Sequence, residues 1–599
     1  MASASFRAPA SCAALCSAAE TGRGGAKTPR RVVFGSLARD RLPVKAIGVG
    51  ERRRKGSVFT TCSSIEEKEA ETTEALDDLD SLEFVDLGGS VQNKDGAGAT
   101  FVSPDWLTQL QRNWGGKSDI PTADAKVEDI TELLGGGMFQ PLYKWMKETG
   151  DIYLLPTGPT SSYVVVSDPA ALKHILRTYG TQYYKGTIAE VAGGDNGPFG
   201  CGFALLEFEP WKIRRKAVTP GLHRSYIEAM VERVFVPCAD ILAEKCEQAA
   251  VANSKIEMED GFCQVTLDVI GKAAFNYDFQ SLTSESPLVQ AVYTALKEGE
   301  TRSMDVVPLW RLPAPIARLV SPRQAAAQDA IKLIRETVEE LVARCKSIIE
   351  EEDKAGETSE FGPEYLNDKD PSLLRFLLAS REEVSSVQLR DDLVSILIAG
   401  HETTGSVLTW MLYMLTQNPD CMKKIQDELD EVIGTDPSVK LTYANVRELK
   451  YLRRCIDETM RLYPQPPVYT RRSLVENEVP TMNGGTVKIP AQQDLLLSIY
   501  NMHRNPNVWD NPNDFIPERF GPLDQPPPTE VSTDYKYIPF GGGPRKCPGD
   551  QFALMEAMVV MSTLLRRFSF ELTPNQTIGM TSGATIHTSN GMYVNVVRR

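Results

Sequence analysis

From about residue 103 to residue 599, apolar and polar positions mostly recur with the period of an α-helix. The longest such stretches are LVQAVYTALKEG, AAAQDAIKLIRETVEELVARCKSIIEEE and LRDDLVSILIAGHETTGSVLTWMLYMLTQNP. Apolar residues at i, i+3 and i+4 form one face of a helix, and that face packs against a core. Two shorter runs rich in β-branched residues, SYVVVSD and MYVNVV, lie near the two ends of this region and favour strands. The pattern predicts a mainly α fold with a small β-sheet subdomain.

The apolar stretch at residues 393–415 is long enough to span a bilayer, but a polar group at residues 401–404 interrupts its centre. An acid such as Glu402 at the bilayer midplane costs about 2.5–3.5 kcal/mol. Apolar residues on both sides of the interruption keep helical spacing. We therefore predict a long helix through the protein core, with a site where the polar group interrupts it.

The N-terminal part of the chain has a different composition. Residues 1–64 carry twelve Lys or Arg against three acids, with many Ser and Ala and no long apolar run. This composition is typical of a transit peptide, and we favour plastid over mitochondrial import because no Arg-rich amphipathic helix is evident. A disordered basic tail is the alternative. Residues 65–102 are first acidic and then rich in Gly and Ala, which predicts a flexible linker before a folded domain at residues 103–599.

Composition excludes several classes of function. A net charge of −15 argues against nucleic-acid binding, because no overall basic field attracts phosphates. The eleven cysteines contain no C-x-x-C pair, which excludes a zinc ribbon and indicates reduced thiols in a non-secretory compartment. With only five dispersed histidines, a histidine-rich metal centre is also excluded.

One cysteine lies in an unusual setting, the sequence PFGGGPRKCPGDQFALMEA at residues 539–557. The glycines permit positive φ and close approach of the backbone to a large planar group. Arg545 and Lys546 place positive charge beside Cys547, which suits a thiolate metal ligand. For an isolated loop cysteine, a buried structural role is the alternative.

Three further motifs accompany this loop and favour the ligand interpretation. Together the four are F-x-x-G-x-R-x-C-x-G at 540–549, AGHETT at 399–404, ETMR at 458–461 and PERF at 517–520. In this order and at these separations, the chain resembles the cytochrome P450 family of haem-thiolate monooxygenases. The resemblance implies the cytochrome P450 fold, haem b as cofactor and O2 as co-substrate.

The resemblance also implies roles for the residues of these motifs. Cys547 is expected to be the axial ligand of the haem iron, with Gly543 admitting the porphyrin and Phe540 shielding the sulfur. A set of aromatic and basic residues is expected to bind the haem propionates: Trp211, Arg215, Arg472 and Arg545.

Two other groups follow from the same resemblance. In AGHETT, Thr403 is expected to leave the helix ladder and hydrogen-bond dioxygen, in space kept open by Gly400. Glu402 is expected to supply protons from the solvent side. A structural network is expected from Glu458, Arg461 and Arg519, the first two of which share a helix face.

Several segments narrow the resemblance to the plant plastid carotenoid-ring hydroxylases. These include LLGGGMFQPLYKWMKE, TLDVIGKAAFNYDFQSLTSESP, RLYPQPPVYTRRS and MTSGATIHTSNG, and SPDWL, REEVSSVQLRDDL and DQFALMEA look most like the ε-ring branch. The implied activity is hydroxylation of carotenoid ionone rings at C3, ε-rings preferred, giving lutein. A β-ring hydroxylase is the first alternative, because residues 189–211 are more glycine-rich and polar than the family's apolar loop there. That loop and residues 582–588 are expected to border substrate.

Two other functions stay open: a haem-thiolate isomerase or dehydratase of fatty-acid hydroperoxides, which the Glu402–Thr403 pair disfavours, and a non-catalytic haem sensor or carrier. No flavodoxin-like or dinucleotide-binding segment is evident, so electrons must come from another protein. The resemblance implies ferredoxin, with an NADPH-dependent P450 reductase as the alternative, and other carotenoid hydroxylases as further partners. It implies a plastid location, peripheral on the envelope or thylakoid membrane. The donor is expected to dock on a basic patch made of Lys212, Arg214, Lys216 and Lys546.

Overall fold

A computed structural model describes residues 119–599, apart from 126–136, 138, 158–161, 194–196, 198, 285–286, 305–308, 356–370, 380–384, 437 and 583. The predicted transit peptide at 1–64, the predicted linker at 65–102 and the segment SPDWL lie outside the described residues. Parts of the segment REEVSSVQLRDDL and of the glycine-rich loop at 189–211 also lie outside the described residues.

Helices make up most of the described chain. In chain order they are α1 (Phe139–Thr149), α2 (Pro169–Lys173), α3 (Thr187–Ala192), α4 (Phe208–Val218), α5 (Arg224–Met230), α6 (Val236–Ala252), α7 (Met258–Phe275), α8 (Pro287–Met304), α9 (Ala314–Val320), α10 (Pro322–Ala355), α11 (Leu373–Ala379), α12 (Ser386–Gln417), α13 (Pro419–Val432), α14 (Tyr443–Val446), α15 (Lys450–Leu462), α16 (Ile499–His503) and α17 (Asp550–Leu565).

The strands are short and form four small sheets. They are β1 (Ile152–Pro156), β2 (Ser162–Val166), β3 (Tyr183–Tyr184), β4 (Ile256–Glu257), β5 (Val468–Ser473), β6 (Asn477–Pro480), β7 (Thr486–Ile489), β8 (Asp494–Ser498), β9 (Phe568–Leu572), β10 (Met580–Ser582), β11 (Ile586–Thr588) and β12 (Tyr593–Arg598). The largest sheet has the order β1-β2-β8-β5-β3, in which only β2 and β8 run parallel. A second sheet has the order β4-β12-β9, and β6–β7 and β10–β11 are two-stranded. The predicted mainly α fold with a small sheet is confirmed.

Helix α12 is the long core helix that the apolar pattern predicts. Ser385 caps its N-terminus by accepting a hydrogen bond from the Gln388 amide, and most residues from Leu389 to Leu415 are buried. In the part of the chain that the structure describes, none of the helices has the length and hydropathy of a bilayer-spanning segment.

Small residues let α12 cross α7 at short range. A Cβ added at Gly400 would come within 2.7 Å of the Ile270 side chain, and one added at Gly405 would come within 3.3 Å of Thr266. The Thr266 hydroxyl donates a hydrogen bond of 2.9 Å to the carbonyl of His401 across this crossing. Gly400 thus serves the close crossing of α12 and α7, because a side chain there would meet Ile270.

Candidate active site

The loop that carries Cys547 closes tightly before α17. The Cys547 amide donates a hydrogen bond of 2.9 Å to the carbonyl of Phe540, which fixes the ends of the loop. Gly543 adopts φ of +66°, and a Cβ there would lie 2.1 Å from the carbonyl oxygen of Leu176. Any other residue at this position would be strained and would push the loop away. Cys547 is exposed, whereas the other seven described cysteines are buried or half-buried. The loop thus holds Cys547 in a fixed position on a rigid turn.

Arg545 joins this loop to the start of α4. Its Nη1 donates a hydrogen bond of 2.7 Å to the Leu206 carbonyl, and its Nη2 forms an ion pair with Glu207. The guanidinium carbon lies 3.9 Å from the centroid of the Trp211 ring, a cation–π contact. The predicted partners Trp211 and Arg545 are thus in direct contact.

Further cations surround Arg545. Burial, together with the charges of Arg471 and Arg215, lowers the pKa of the Arg545 guanidinium to about 10, and the Glu207 charge opposes this shift. The same group of charges, after burial, acts on the pKa of Lys185, which is held well below its usual value. Lys185, Arg471 and Arg545 interact with Glu207, whereas the charges that act on Arg215 are those of Cys547 and Asp550. The group favours the binding of additional carboxylates, whose charge would also raise the lowered pKa of Lys185.

Arg471 and Arg472, which are neighbours in β5, have different partners: Arg471 interacts with this cation group, whereas Arg472 pairs with Asp494. Arg472 is held by Asp494 through two hydrogen bonds, of 2.6 Å from Nε and 2.9 Å from Nη2. Successive residues of a strand point to opposite faces, so the neighbouring Arg471 points to the other side of β5. Burial lowers the pKa of Arg471, and the Glu207 carboxylate opposes that shift. Arg471 is thus a second candidate for the propionate role beside the predicted Arg472.

Glu458, Arg461 and Arg519 form the expected network. Arg461 donates two hydrogen bonds to the Glu458 carboxylate, of 2.8 and 2.9 Å, and Arg519 donates one of 2.8 Å. Arg461 also donates to the carbonyls of His503 and Pro512. Both Glu458 and Arg461 are fully buried, so the network ties α15 to the chain that leads toward the Cys547 loop.

Thr403 stays within the hydrogen-bond ladder of α12. Its hydroxyl donates a bond of 2.8 Å to the Ala399 carbonyl, four residues earlier. The structure therefore shows the helical back-bond that is usual for a threonine within a helix, and not the expected departure from the ladder.

Glu402 does not face solvent, contrary to expectation. It is only 3% exposed, and its Oε1 accepts hydrogen bonds from His587 Nε2 at 2.5 Å and Thr585 Oγ1 at 3.1 Å. Burial alone would raise the pKa of Glu402, but the bond and charge of His587 outweigh it and lower the pKa below the ordinary value. Sequence reasoning missed His587 as a partner because 185 residues separate the two. The only signal was its place in MTSGATIHTSNG.

The proposed docking patch is largely neutralised. Arg214 is buried and forms an ion pair of 2.7 Å with Asp392, so it is not a surface residue as predicted. Lys546 pairs with Glu530 at 3.1 Å and with Asp550 at 3.2 Å. The remaining two members, Lys212 and Lys216, are half-buried on α4.

The described part of the glycine-rich loop is fastened to the first turns of α12. The amides of Cys201 and Phe203 donate hydrogen bonds of 2.8 and 2.7 Å to Asp391 and Asp392. A Cβ at Gly202 would lie 2.1 Å from the Ser395 hydroxyl. The glycine content of this segment thus serves close contact between loop and helix.

Comparisons with known proteins agree with these features. A family model described as Cytochrome P450 matches residues 130–594. The chain is similar to carotene epsilon-monooxygenase, chloroplastic, of Arabidopsis thaliana, with 54% identity over 84% of this chain and 90% of that protein. It is 43% identical to the LUTEIN DEFICIENT 5 protein, chloroplastic, of the same plant, over 83% and 80% of the two chains. Cytochrome P450 97B2, chloroplastic, of Glycine max is 41% identical over 81% and 87%. With its helical fold, its exposed cysteine and its match along 465 residues, the chain belongs to the cytochrome P450 family.

Proposed function

We propose that this protein hydroxylates carotenoid ionone rings at C3, preferring ε-rings and forming lutein from a monohydroxylated precursor. The observation that carries the proposal is Cys547 on its rigid glycine loop beside a cation group, in a chain 54% identical to a carotene epsilon-monooxygenase. The 43% identity to the LUTEIN DEFICIENT 5 protein supports the same pathway. A β-ring preference is the alternative.

The residues present fit haem b. Cys547 would hold the iron, and the cation group would hold the two propionates because its cations outnumber their carboxylate partners. The members of the cation group are Lys185, Arg215, Arg471 and Arg545, with Trp211 against the last of them. Haem with a cysteinate ligand supplies an oxidant, formed from O2 and two electrons, that attacks unactivated C–H bonds.

Glu402 and Thr403 are the pair that we propose for proton delivery. The Thr403 hydroxyl donates to the Ala399 carbonyl and can still accept a hydrogen bond from water on its lone pairs. Glu402 lies next to it on α12 and is held by the β10–β11 hairpin.

Ring selectivity has to come from the shape of the pocket, because a carotene offers no polar handle. One mismatched group in an apolar pocket changes selectivity by only about 1–3 kcal/mol. The fastened segment at residues 199–203 provides a fixed wall for such a pocket. We therefore expect some β-ring product beside the ε-ring product.

We place the protein in the chloroplast, peripheral on the envelope or thylakoid membrane, with ferredoxin as electron donor. The relatives named chloroplastic and the basic composition of residues 1–64 support the location. An exposed apolar surface on and before α9 supports membrane contact. It consists of Leu312, Ile316, Leu319 and Val320, the last three on a single short helix.

The decisive experiment supplies α-carotene-type and β-carotene-type substrates side by side to the holoprotein with ferredoxin and its reductase. Hydroxylated ε-rings as the major product would support the proposal. Hydroxylation confined to β-rings would assign the chain to the β-ring activity. Conversion of fatty-acid hydroperoxides without reductant would overturn the proposal, and so would a reducible haem without any turnover.

A further inference from the structure

A histidine near the C-terminal end of the chain lies between two carboxylates. His587 Nε2 is 2.5 Å from Glu402 Oε1, and His587 Nδ1 is 3.0 Å from Glu259 Oε1. The three residues come from the middle of α12, the first turn of α7 and strand β11. All three side chains are buried or nearly so, with exposed fractions of 4% for Glu402, 7% for His587 and 13% for Glu259.

The hydrogen bonds around this group favour one arrangement of its protons. Glu259 accepts from the Thr588 amide at 3.0 Å and from the Thr588 hydroxyl, so both of its oxygens act as acceptors. Glu402 accepts from the Thr585 hydroxyl, which also lies 2.8 Å from His587 Nε2. Several donors stabilise the ionised form of a carboxyl group, and an imidazole that donates to a carboxylate from each nitrogen is an imidazolium. This arrangement places one histidine cation between two anions.

The surrounding charges favour the same protonation of His587, Glu259 and Glu402. Burial alone would lower the pKa of His587, but the bonds to Glu259 and Glu402 outweigh it and raise the pKa to about 10. The other titratable groups that interact with the two carboxylates include His401, whose Nδ1 is 3.7 Å from Glu402 Oε2, and the Cys263 thiol. The carboxyl groups of Glu257 and Asp260 interact with Glu259 at the N-terminal end of α7, and burial raises the pKa of each. Burial lowers the pKa of His401 and raises that of Cys263, so both stay neutral. The edge of the Tyr293 ring also contacts His587.

We propose that His587 is a positioning residue for Glu402: its imidazolium holds the Glu402 carboxylate as an anion in one orientation, and Glu259 holds the imidazolium in turn. The inference deepens and rests on the proposed proton-delivery role of Glu402. Glu402 then acts only while His587 keeps its proton. The coupling of reductant use to product therefore has an alkaline limit, and His587 sets that limit.

A structural alternative is that the group merely fastens the β10–β11 hairpin to α12. The chain offers a matched control, because the Ser406 hydroxyl also joins α12 to this hairpin, through a bond of 2.6 Å to the Ile586 carbonyl. Ser406→Ala removes a neighbouring buried contact without changing any charge. If the group has only this structural role, Ser406→Ala and Glu259→Gln should change the pH profile of product formed per reductant consumed to the same extent.

The first test is the protonation state of His587, measured by nitrogen NMR on holoprotein labelled with [15N]histidine, in its diamagnetic ferrous carbon monoxide complex. The chain has five histidines, and the signal lost in His587→Gln assigns the one of interest. We expect both ring nitrogens to carry protons at pH 8.5 in the wild type and in Ser406→Ala. In Glu259→Gln, the titration midpoint should fall by at least one pH unit. A neutral ring at pH 7.5 in the wild type would overturn the inference.

The second test is the pH profile of product formed per reductant consumed. Its alkaline limit should fall by at least one pH unit in Glu259→Gln and stay unchanged in Ser406→Ala. Equal profiles for the wild type and Glu259→Gln, or equal shifts in both variants, would overturn the positioning role. Glu402→Gln tests the proposed function separately: unchanged coupling in this variant would remove Glu402 from proton delivery even where the NMR result stands.

Discussion

Arg471 and Arg472 are neighbours in strand β5 but interact with different partners. Arg472 forms an ion pair with Asp494, whereas Arg471 interacts with Glu207 and Arg545. This division follows from the two-residue period of a strand. Conservative-looking changes at the two positions should therefore have different consequences.

Arg471→Ala should weaken haem retention with little effect on the fold, because it removes one of the proposed propionate partners. Arg472→Ala should instead destabilise the fold by about 3 kcal/mol, because it leaves the Asp494 carboxylate without its buried partner. Haem content after gel filtration and the midpoint of urea unfolding separate the two effects. The assignment would be reversed if Arg472→Ala lost haem at unchanged stability.

Cys547→Ser should abolish the red-shifted Soret band of the ferrous carbon monoxide complex, because a serine hydroxyl does not replace the thiolate. Cys421→Ser is the matched control, since Cys421 is half-buried on α13, away from the loop, and its loss should leave the band intact. A folded Cys547→Ser variant that keeps the band would show that another residue ligates the iron.

Thr403→Ala should keep haem content but lower the ratio of product to reductant consumed, roughly ten-fold or more. Thr409 lies on the same helix and makes the same type of bond, 2.9 Å to the carbonyl four residues earlier. Thr409→Ala therefore controls for the loss of a back-bond. If both variants lower the ratio of product to reductant consumed to the same extent, the effect is structural and Thr403 has no part in proton delivery.

The His587 group should make stability depend on pH with a defined sign. Because the pKa of His587 is raised to about 10 in the folded protein, its contribution is complete below the ordinary histidine pKa of about 6.5. It is lost as the pH rises through about 10. The difference in melting temperature between the wild type and His587→Gln should therefore shrink from pH 7.5 to pH 10.5. The difference for Ser406→Ala should stay constant, and a His587→Gln difference that does not change with pH would contradict the assignment.

Leu319→Glu should reduce binding to vesicles made of chloroplast lipids, because Leu319 is 86% exposed on the apolar surface of α9. Val251→Glu is the control: Val251 is 67% exposed on α6 but stands alone. Vesicle flotation measures both variants. Equal binding of Leu319→Glu and the wild type would exclude this surface as the membrane contact.

Local patterns predicted the fold class, helix α12 and the Cys547 loop, because periodicity and glycine spacing are properties of neighbouring residues. The Trp211–Arg545 contact was also accessible, since both residues belong to recognisable motifs. What failed depended on tertiary packing. Arg214 was predicted to be a surface cation, but it is buried and paired with Asp392.

The link between Glu402 and His587 could not be read from the sequence at all. Nothing in the chain near Glu402 says which distant segment will cover it, and a single histidine among five has no spacing signal. Only the packing of the β10–β11 hairpin against α12 brings the two together.

The β10–β11 hairpin follows α17 and lies close to residue 599. The family motifs and the hydrogen-bond partners of Glu402 therefore lie in different parts of the chain. A splice form or gene fragment that stops after α17 still contains the cysteine loop, the buried arginine network and AGHETT, so a motif search would score it as a complete enzyme. It would lack the last partner of Glu402. Gene models of this family should therefore be judged by whether they reach residue 588.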